Sequence, residues 1–292
     1  MLPDQVWSAW SLHPPAIALL GFGALAYSVG IRRLSTEQSD AFRHRHVTAF
    51  YGGLAALAVA LISPLDRVAG TIFSGHMVQH LVLISIAAPL LVYGRPGLPM
   101  FLALPADLRH SLKAIAMNLA WTRRVGRLIL NPILVAGFHA VVLWAWHLPG
   151  PYQAALAHDG LHIAEHVSFI ATAILLWSLI IGRGERRRLG YAPAVMLVFV
   201  TSLQSGALGA ILTFAMSELY PLHRGGAAAW GLTSLEDQQL AGGIMWIPQG
   251  MLYLAAMAIL LWKAFAEVEA RVLREEAADK TRAAALGLGG QP

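Results

Sequence analysis

Twelve histidines are spread unevenly through this 292-residue chain, and their spacing says what chemistry they could do. His76 and His80 are four residues apart. On an α-helix that sets their imidazoles about 40° apart, one turn above the other. His158, His162 and His166 repeat the spacing over two turns, and Glu165 falls about 20° to the other side of His158. The four side chains share one stripe about 100° wide. An i, i+4 pair of imidazoles is a bidentate metal element. Neutral imidazole suits copper, zinc, iron and nickel, whereas thioethers favour Cu(I), which brings Met77 and Met216 into consideration as supporting residues. Glu165 is suited to orient a ligating imidazole by accepting its second N–H. A hydrogen-bonded histidine network without metal is the plainer reading of any one of these residues. Six of them clustered on one side, with two i, i+4 series, favour metal.

The elements that must position them are membrane helices. Of all residues 57% are apolar and 13% charged, and the mean hydropathy is +0.58. A soluble domain carries nearer 25% charge, so disorder, collagen and a soluble enzyme are excluded and a polytopic, all-α membrane protein remains. The chain has no cysteine, which removes disulfides, thiolate zinc sites and thiolate-based copper exchange. Seven apolar stretches approach the 20 or so residues that cross a bilayer, at 15–31, 47–63, 71–93, 132–147, 156–181, 192–216 and 239–265. The fourth is the shortest. Residues 1–265 read as one seven-span domain and 266–292 as a cytoplasmic tail.

Nineteen of the 21 Lys and Arg residues fall on one side of that arrangement, and only Arg67 and Arg224 face the other. By the positive-inside rule the N-terminus is outside and the C-terminus cytoplasmic. The pI near 9.8 is therefore a topology signal toward the lipid bilayer and no sign of nucleic acid. The N-terminal segment, with Trp7 and Trp10, reads as a retained outer segment. Residues 108–121 alternate Leu108, Leu112, Ile115 and Leu119 with Arg109, His110 and Lys113. They read as an amphipathic, interfacial helix on the cytoplasmic surface.

This topology places His76, His80, His147, His158, His162 and His166 in the outer half of spans three, four and five. Intramembrane ionisable groups face the bundle interior, so the three spans should converge on a polar pocket open to the outside. For His139 the choice between core and site stays open, and His44 and His46 read as surface residues. Asp237 is placed to cap the start of span seven. Gln204 is suited to an interhelical hydrogen bond, and Pro89 and Pro248 to kinks.

Four strings resemble the multi-spanning CtaG family of cytochrome c oxidase (caa3-type) assembly factors. They are HMVQHLVLISIAAPLLVYGRP (76–96), WHLPGPYQAALAHDGLHIAEHVSF (146–169), GALGAILTFAMSELYP (206–221) and DQQLAGGIMWIPQG (237–250), and they cover spans three to seven. The resemblance implies a non-catalytic role in maturing a haem–copper oxidase in a bacterial plasma (inner) membrane. It implies copper as the metal and the oxidase subunit carrying the buried copper site as partner, with a homo-oligomer left open. It also carries the family's motif histidines onto His76, His80, His147, His158, His162 and His166, and its acid onto Asp237. Two other readings compete. An intramembrane zinc hydrolase would use Asp237 or Glu165 as general base, although span seven lacks the histidine that the alkaline ceramidase superfamily draws from its last span. A b-type haem protein would use two facing histidines such as His80 and His162.

Overall fold

The computed structural model describes residues 3–34, 40–118, 128, 130–181 and 189–285. Among these, every regular element is helical. Residues 119–121 of the interfacial stretch, residues 286–292 of the tail and the basic clusters around 123–127 and 183–188 lie outside the description.

In chain order, α1 is Pro14–Arg32, α2 Asp40–Leu61, α3 Pro64–Ala69, α4 Phe73–Leu81 and α5 Ala88–Tyr93. Then come α6 Gly97–Ala103, α7 Ala106–Asn118, α8 Pro132–Trp146, α9 Pro149–Ala157 and α10 Asp159–Ile181. The last three are α11 Tyr191–Thr213, α12 Arg224–Ala229 and α13 Ser234–Ala285. Among the described residues, five helical segments are long and apolar enough to cross a membrane: α1, the run 73–93, α10, α11 and α13. A sixth is added if α8 and α9, bent by 71° at their junction, count as one broken span.

Both differences from the seven expected spans have a local cause. Arg43, His44, Arg45 and His46 occupy the first two turns of α2, which dilutes the apolar run that follows. The 15 residues of α8 rise only about 22 Å, short of a hydrocarbon layer about 30 Å thick. The stretch expected to lie at the interface forms helix α7 over its described residues, and its Leu108, Leu112 and Ile115 are exposed. No break separates a tail at residue 265, because α13 runs on through it.

The run 73–93 divides the core. Phe73, Met77, Ile84 and Ala88 pack with residues of α8–α13. Leu83, Ala87 and Leu91 pack with Tyr27, Phe50, Leu57 and Ala60 of α1 and α2. On the larger side α11 and α13 cross so closely that a Cβ on Gly209 would lie 2.8 Å from the Gly242 carbonyl oxygen. Small residues permit this contact, as they do generally between membrane helices. Gln204 meets its expectation, accepting from Trp144 Nε1 at 2.9 Å and tying α11 to α8.

Pro89 produces more than a kink. Residues Val82–Ala87, immediately ahead of it, form a π-helical segment in which Ala88 N–H reaches back five residues to the Leu83 carbonyl. The next donor in that register would be Pro89, which has no N–H. The Ile84 carbonyl is satisfied instead by Trp177 Nε1 of α10, at 2.9 Å. The indole thus supplies from another helix the hydrogen bond that the proline removes. A π segment next to a candidate site is a recurring arrangement, and here it begins two residues after His80.

Trp177→Phe keeps an aromatic ring but leaves the Ile84 carbonyl without its donor. The expected cost is about 1–3 kcal/mol, read as a lower midpoint of thermal unfolding in detergent. An unchanged midpoint would count against this role for the indole.

Candidate metal centre

Two helices supply the centre. His76 and His80 leave α4 one turn apart with ring centroids 4.3 Å apart. His162, Glu165 and His166 face them from α10, where His162 and His166 are likewise 4.3 Å apart. The two pairs are in contact: His76 lies 5.4 Å from His162 and 6.1 Å from His166, and His80 lies 5.5 Å from His166. His76 and Glu165 are wholly buried and His80 nearly so.

One ligand atom from each of His76, His80, Glu165 and His166 can be chosen so that all four lie within 4.8 Å of one another. Glu165 places one carboxylate oxygen 3.6 Å from His76 Nε2 and the other 3.7 Å from His80 Nε2. Those separations are too long for hydrogen bonds and suit groups arranged around a shared ion. Both ring nitrogens of His76 and His80, both Glu165 oxygens and Nε2 of His162 and His166 make no hydrogen bond. Each buried polar group left this way costs about 1–3 kcal/mol. A cation drawing on these lone pairs relieves that cost, so the donor set fits a metal. Three imidazoles and a carboxylate suit a borderline transition metal such as copper or zinc.

The other candidates are placed differently. His147 ends α8, with its ring 6.0 Å from that of His80, so it sits beside the quartet. The stripe expected along one helix is interrupted at His158. This residue is extended (φ −137°, ψ 112°) at the junction of α9 and α10, and its side chain is exposed and bonded to the Ala154 carbonyl. Periodicity could not register that break. Met216 is 96% exposed in the turn after α11, away from the cluster. Met77 is buried, with its sulfur 3.4 Å from His147 Nε2. His139 bonds to Thr172 Oγ1 at 2.9 Å and is a core residue. Glu165, expected to orient an imidazole, brings a carboxylate oxygen into the same group of candidate ligand atoms.

Asp237 does not cap its own helix. Thr233 and Glu236 form the capping box of α13, each bonded to the other's backbone N–H. Asp237 is left to reach across to α4, whose N-cap position, Ile72, has no side-chain oxygen. Its carboxylate accepts from Phe73 N–H at 2.7 Å, Ser74 N–H at 3.0 Å and the Ser74 hydroxyl at 2.5 Å. An anion at a helix N-terminus is favoured by the orphan N–H groups and the dipole. This one fixes the helix that carries His76 and His80. Sequence reasoning saw the acid but not its target, which lies 164 residues away.

Sequence reasoning also missed the cover of the site. Tyr152 of α9 stacks edge-on against His76 with centroids 5.2 Å apart, and it contacts Phe73 and Tyr220. Its hydroxyl bonds His223 Nε2 at 2.7 Å, while His223 Nδ1 donates to the Thr71 carbonyl. His223 lies between spans, and burial lowers its pKa below the ordinary histidine range, which keeps Nε2 free to accept. Tyr220 donates to the His147 carbonyl at 2.6 Å. The strings PGPYQ and SELYPLH carried these residues, but nothing in either one indicates that they meet.

The profile of the cytochrome c oxidase caa3 assembly factors, Caa3_CtaG, matches residues 25–267. The chain belongs to this family. The match includes all four candidate ligand residues, Asp237 and the tyrosine cover. Among curated proteins the chain is similar to the uncharacterized protein Mb0105 of Mycobacterium bovis and to the uncharacterized protein MT0111 of Mycobacterium tuberculosis. Each is 24% identical over 245 residues, covering 82% of this chain. The alignment spans 36% of the length of each relative, so this CtaG-family chain corresponds to about a third of those proteins. No solved structure matches it.

Asp237→Asn keeps the shape but removes the charge and turns an N–H donor toward the first turn of α4. It should destabilise the protein by about 1–3 kcal/mol. Thr233→Ala, at the exposed cap, should cost only about 1 kcal/mol. Thermal unfolding of the two variants in detergent checks the order.

Proposed function

We propose that this CtaG-family protein handles copper during maturation of a membrane cytochrome c oxidase and performs no catalysis of its own. Copper is the cargo, held by His76, His80, Glu165 and His166 with His162 beside them. The observation that carries this reading is the quartet of buried ligand atoms within 4.8 Å of one another, without hydrogen bonds to satisfy the imidazoles and the carboxylate. The family's role in cytochrome c oxidase assembly supports the oxidase as partner, and in this reading the oxidase receives the metal.

The bundle sits in a bacterial plasma membrane as seven spans, with α2 and the α8–α9 pair completing the set. Its N-terminus is outside, because 19 of 21 basic residues then face the cytoplasm. The histidines lie toward the outer face, where copper would arrive. His158, exposed one turn before His162, marks the approach. Imidazole ligands also allow release, since protons compete with metal for the same lone pairs.

The competing readings fit less well. Both Asp237 oxygens are occupied by α4, and Ser74 and Ser168 bond to Asp237 and to the Glu165 carbonyl. Asp237 is therefore not free to act as a general base, and Glu165, the other candidate, is taken up in this reading as a copper ligand. Four ligand atoms converging within 4.8 Å of one another suit a single ion more than a porphyrin, which takes one axial imidazole on each face.

Three measurements check the proposal. Changing His80→Ala and His166→Ala together should abolish copper retention by purified protein while insertion is unaffected. A metal-free histidine network predicts instead a loss of stability that is the same with and without copper. Deleting the gene should lower the copper content and the activity of the oxidase at limiting copper supply, and full activity there would overturn the assembly role. Reporters fused at residue 185 and at the C-terminus should both read cytoplasmic.

A further inference from the structure

We propose a second, softer metal site between Met77 and His147, one that takes a Cu(I)-class ion beside the histidine–glutamate quartet. The inference deepens the copper-handling reading and rests on it. His147 Nδ1 lies 2.7 Å from the Leu143 carbonyl oxygen, which can only accept, so Nδ1 carries the proton. In the neutral imidazole Nε2 then bears a lone pair, and this nitrogen faces Met77 Sδ at 3.4 Å. A thioether sulfur has no proton to give. Two acceptors thus confront each other in a site from which water is excluded, with Met77 1% and His147 4% exposed. An ion that accepts from both resolves the conflict.

The separation suits such an ion. Metal–nitrogen and metal–sulfur bonds of about 2.0 and 2.3 Å on neighbouring positions of a tetrahedral or trigonal ion leave about 3.5 Å between the two donors. The donor types select the ion, since a thioether with an imidazole favours Cu(I) over harder divalent metals. The quartet, which includes a carboxylate, has no such preference. Met77 lies between His76 and His80 in sequence on α4, and the His147 ring is 6.0 Å from that of His80. The two sites therefore adjoin along one helix. A soft ion can pass between them by exchange of ligands at His80, whose ring nitrogens are both without a hydrogen bond.

The test loads the full-length protein in detergent with Cu(I) under reducing, anaerobic conditions, followed by copper counting and copper-edge X-ray absorption. Wild type should bind two ions per chain and show a sulfur neighbour at about 2.3 Å. The near-isosteric Met77→Leu should fall to one ion and lose the sulfur signal, whereas Met216→Leu should keep both. If Met77→Leu fails to accumulate, His147→Gln serves in its place with the same expectation. A wild type that binds copper with nitrogen and oxygen neighbours alone would overturn this site and leave the quartet standing. Persistence of the sulfur signal in Met77→Leu would overturn the site equally, and failure to bind any copper would take the quartet reading with it.

Discussion

In a bilayer there is no water to satisfy a stray N–H or C=O, so each polar group freed inside the bundle must find a partner in the protein. The helix arrangement around the run 73–93 follows from that constraint. Pro89 frees the Ile84 carbonyl, and Trp177 of α10 answers it. The first turn of α4 leaves orphan N–H groups, and Asp237 of α13 answers those. Each repair is also a tether. One ties the middle of the run to α10 and the other ties its beginning to α13. Between the two tethers lie His76 and His80.

Backbone groups are thus satisfied across helices while the side chains of the quartet are not. That contrast is the main physical argument for a ligand. A protein that spends an indole on one carbonyl and a carboxylate on two backbone N–H groups is not careless with polarity. His139 shows the alternative available to a buried histidine in the same bundle, since it is bonded to Thr172 and offers nothing to a metal. His223, similarly, is bonded at both nitrogens. Among the described residues, the buried imidazole and carboxylate atoms without a hydrogen bond all lie where α4 meets α10, and there they converge, whereas the other unpartnered buried atoms, such as Ser11 Oγ and Trp230 Nε1, are scattered singly.

The aromatic cover sets how the site communicates with its surroundings. Tyr152, Tyr220, Phe73 and His223 interlock over His76, and Tyr220 fastens this group to the end of α8. The residues come from three separate segments, so a change in any of them is felt at the centre. His162 and His166 are only half-buried, and they make the α10 side the more accessible one. In the proposed role, this asymmetry would give a cargo ion a firm wall on one side and exchangeable ligands on the other.

The sequence by itself determined the class of the protein, its helical elements, the pairing of His76 with His80 and of His162 with His166, and the family. These are properties of composition and of short-range period, which a helix expresses locally whatever it packs against. Only the tertiary structure decided that Glu165 lies within reach of His76, His80 and His166, that His158 points away, and that Asp237 serves α4 while Thr233 and Glu236 cap its own helix. It alone joined Tyr152 to His223, Trp177 to Ile84 and Met77 to His147. Each of these is a contact between segments at least 70 residues apart, or depends on one peptide's dihedral angles, as at His158. Helical period carries information over a few turns. Which orphan group on one helix meets which side chain on another is set by how the helices pack, and that is a property of the whole bundle.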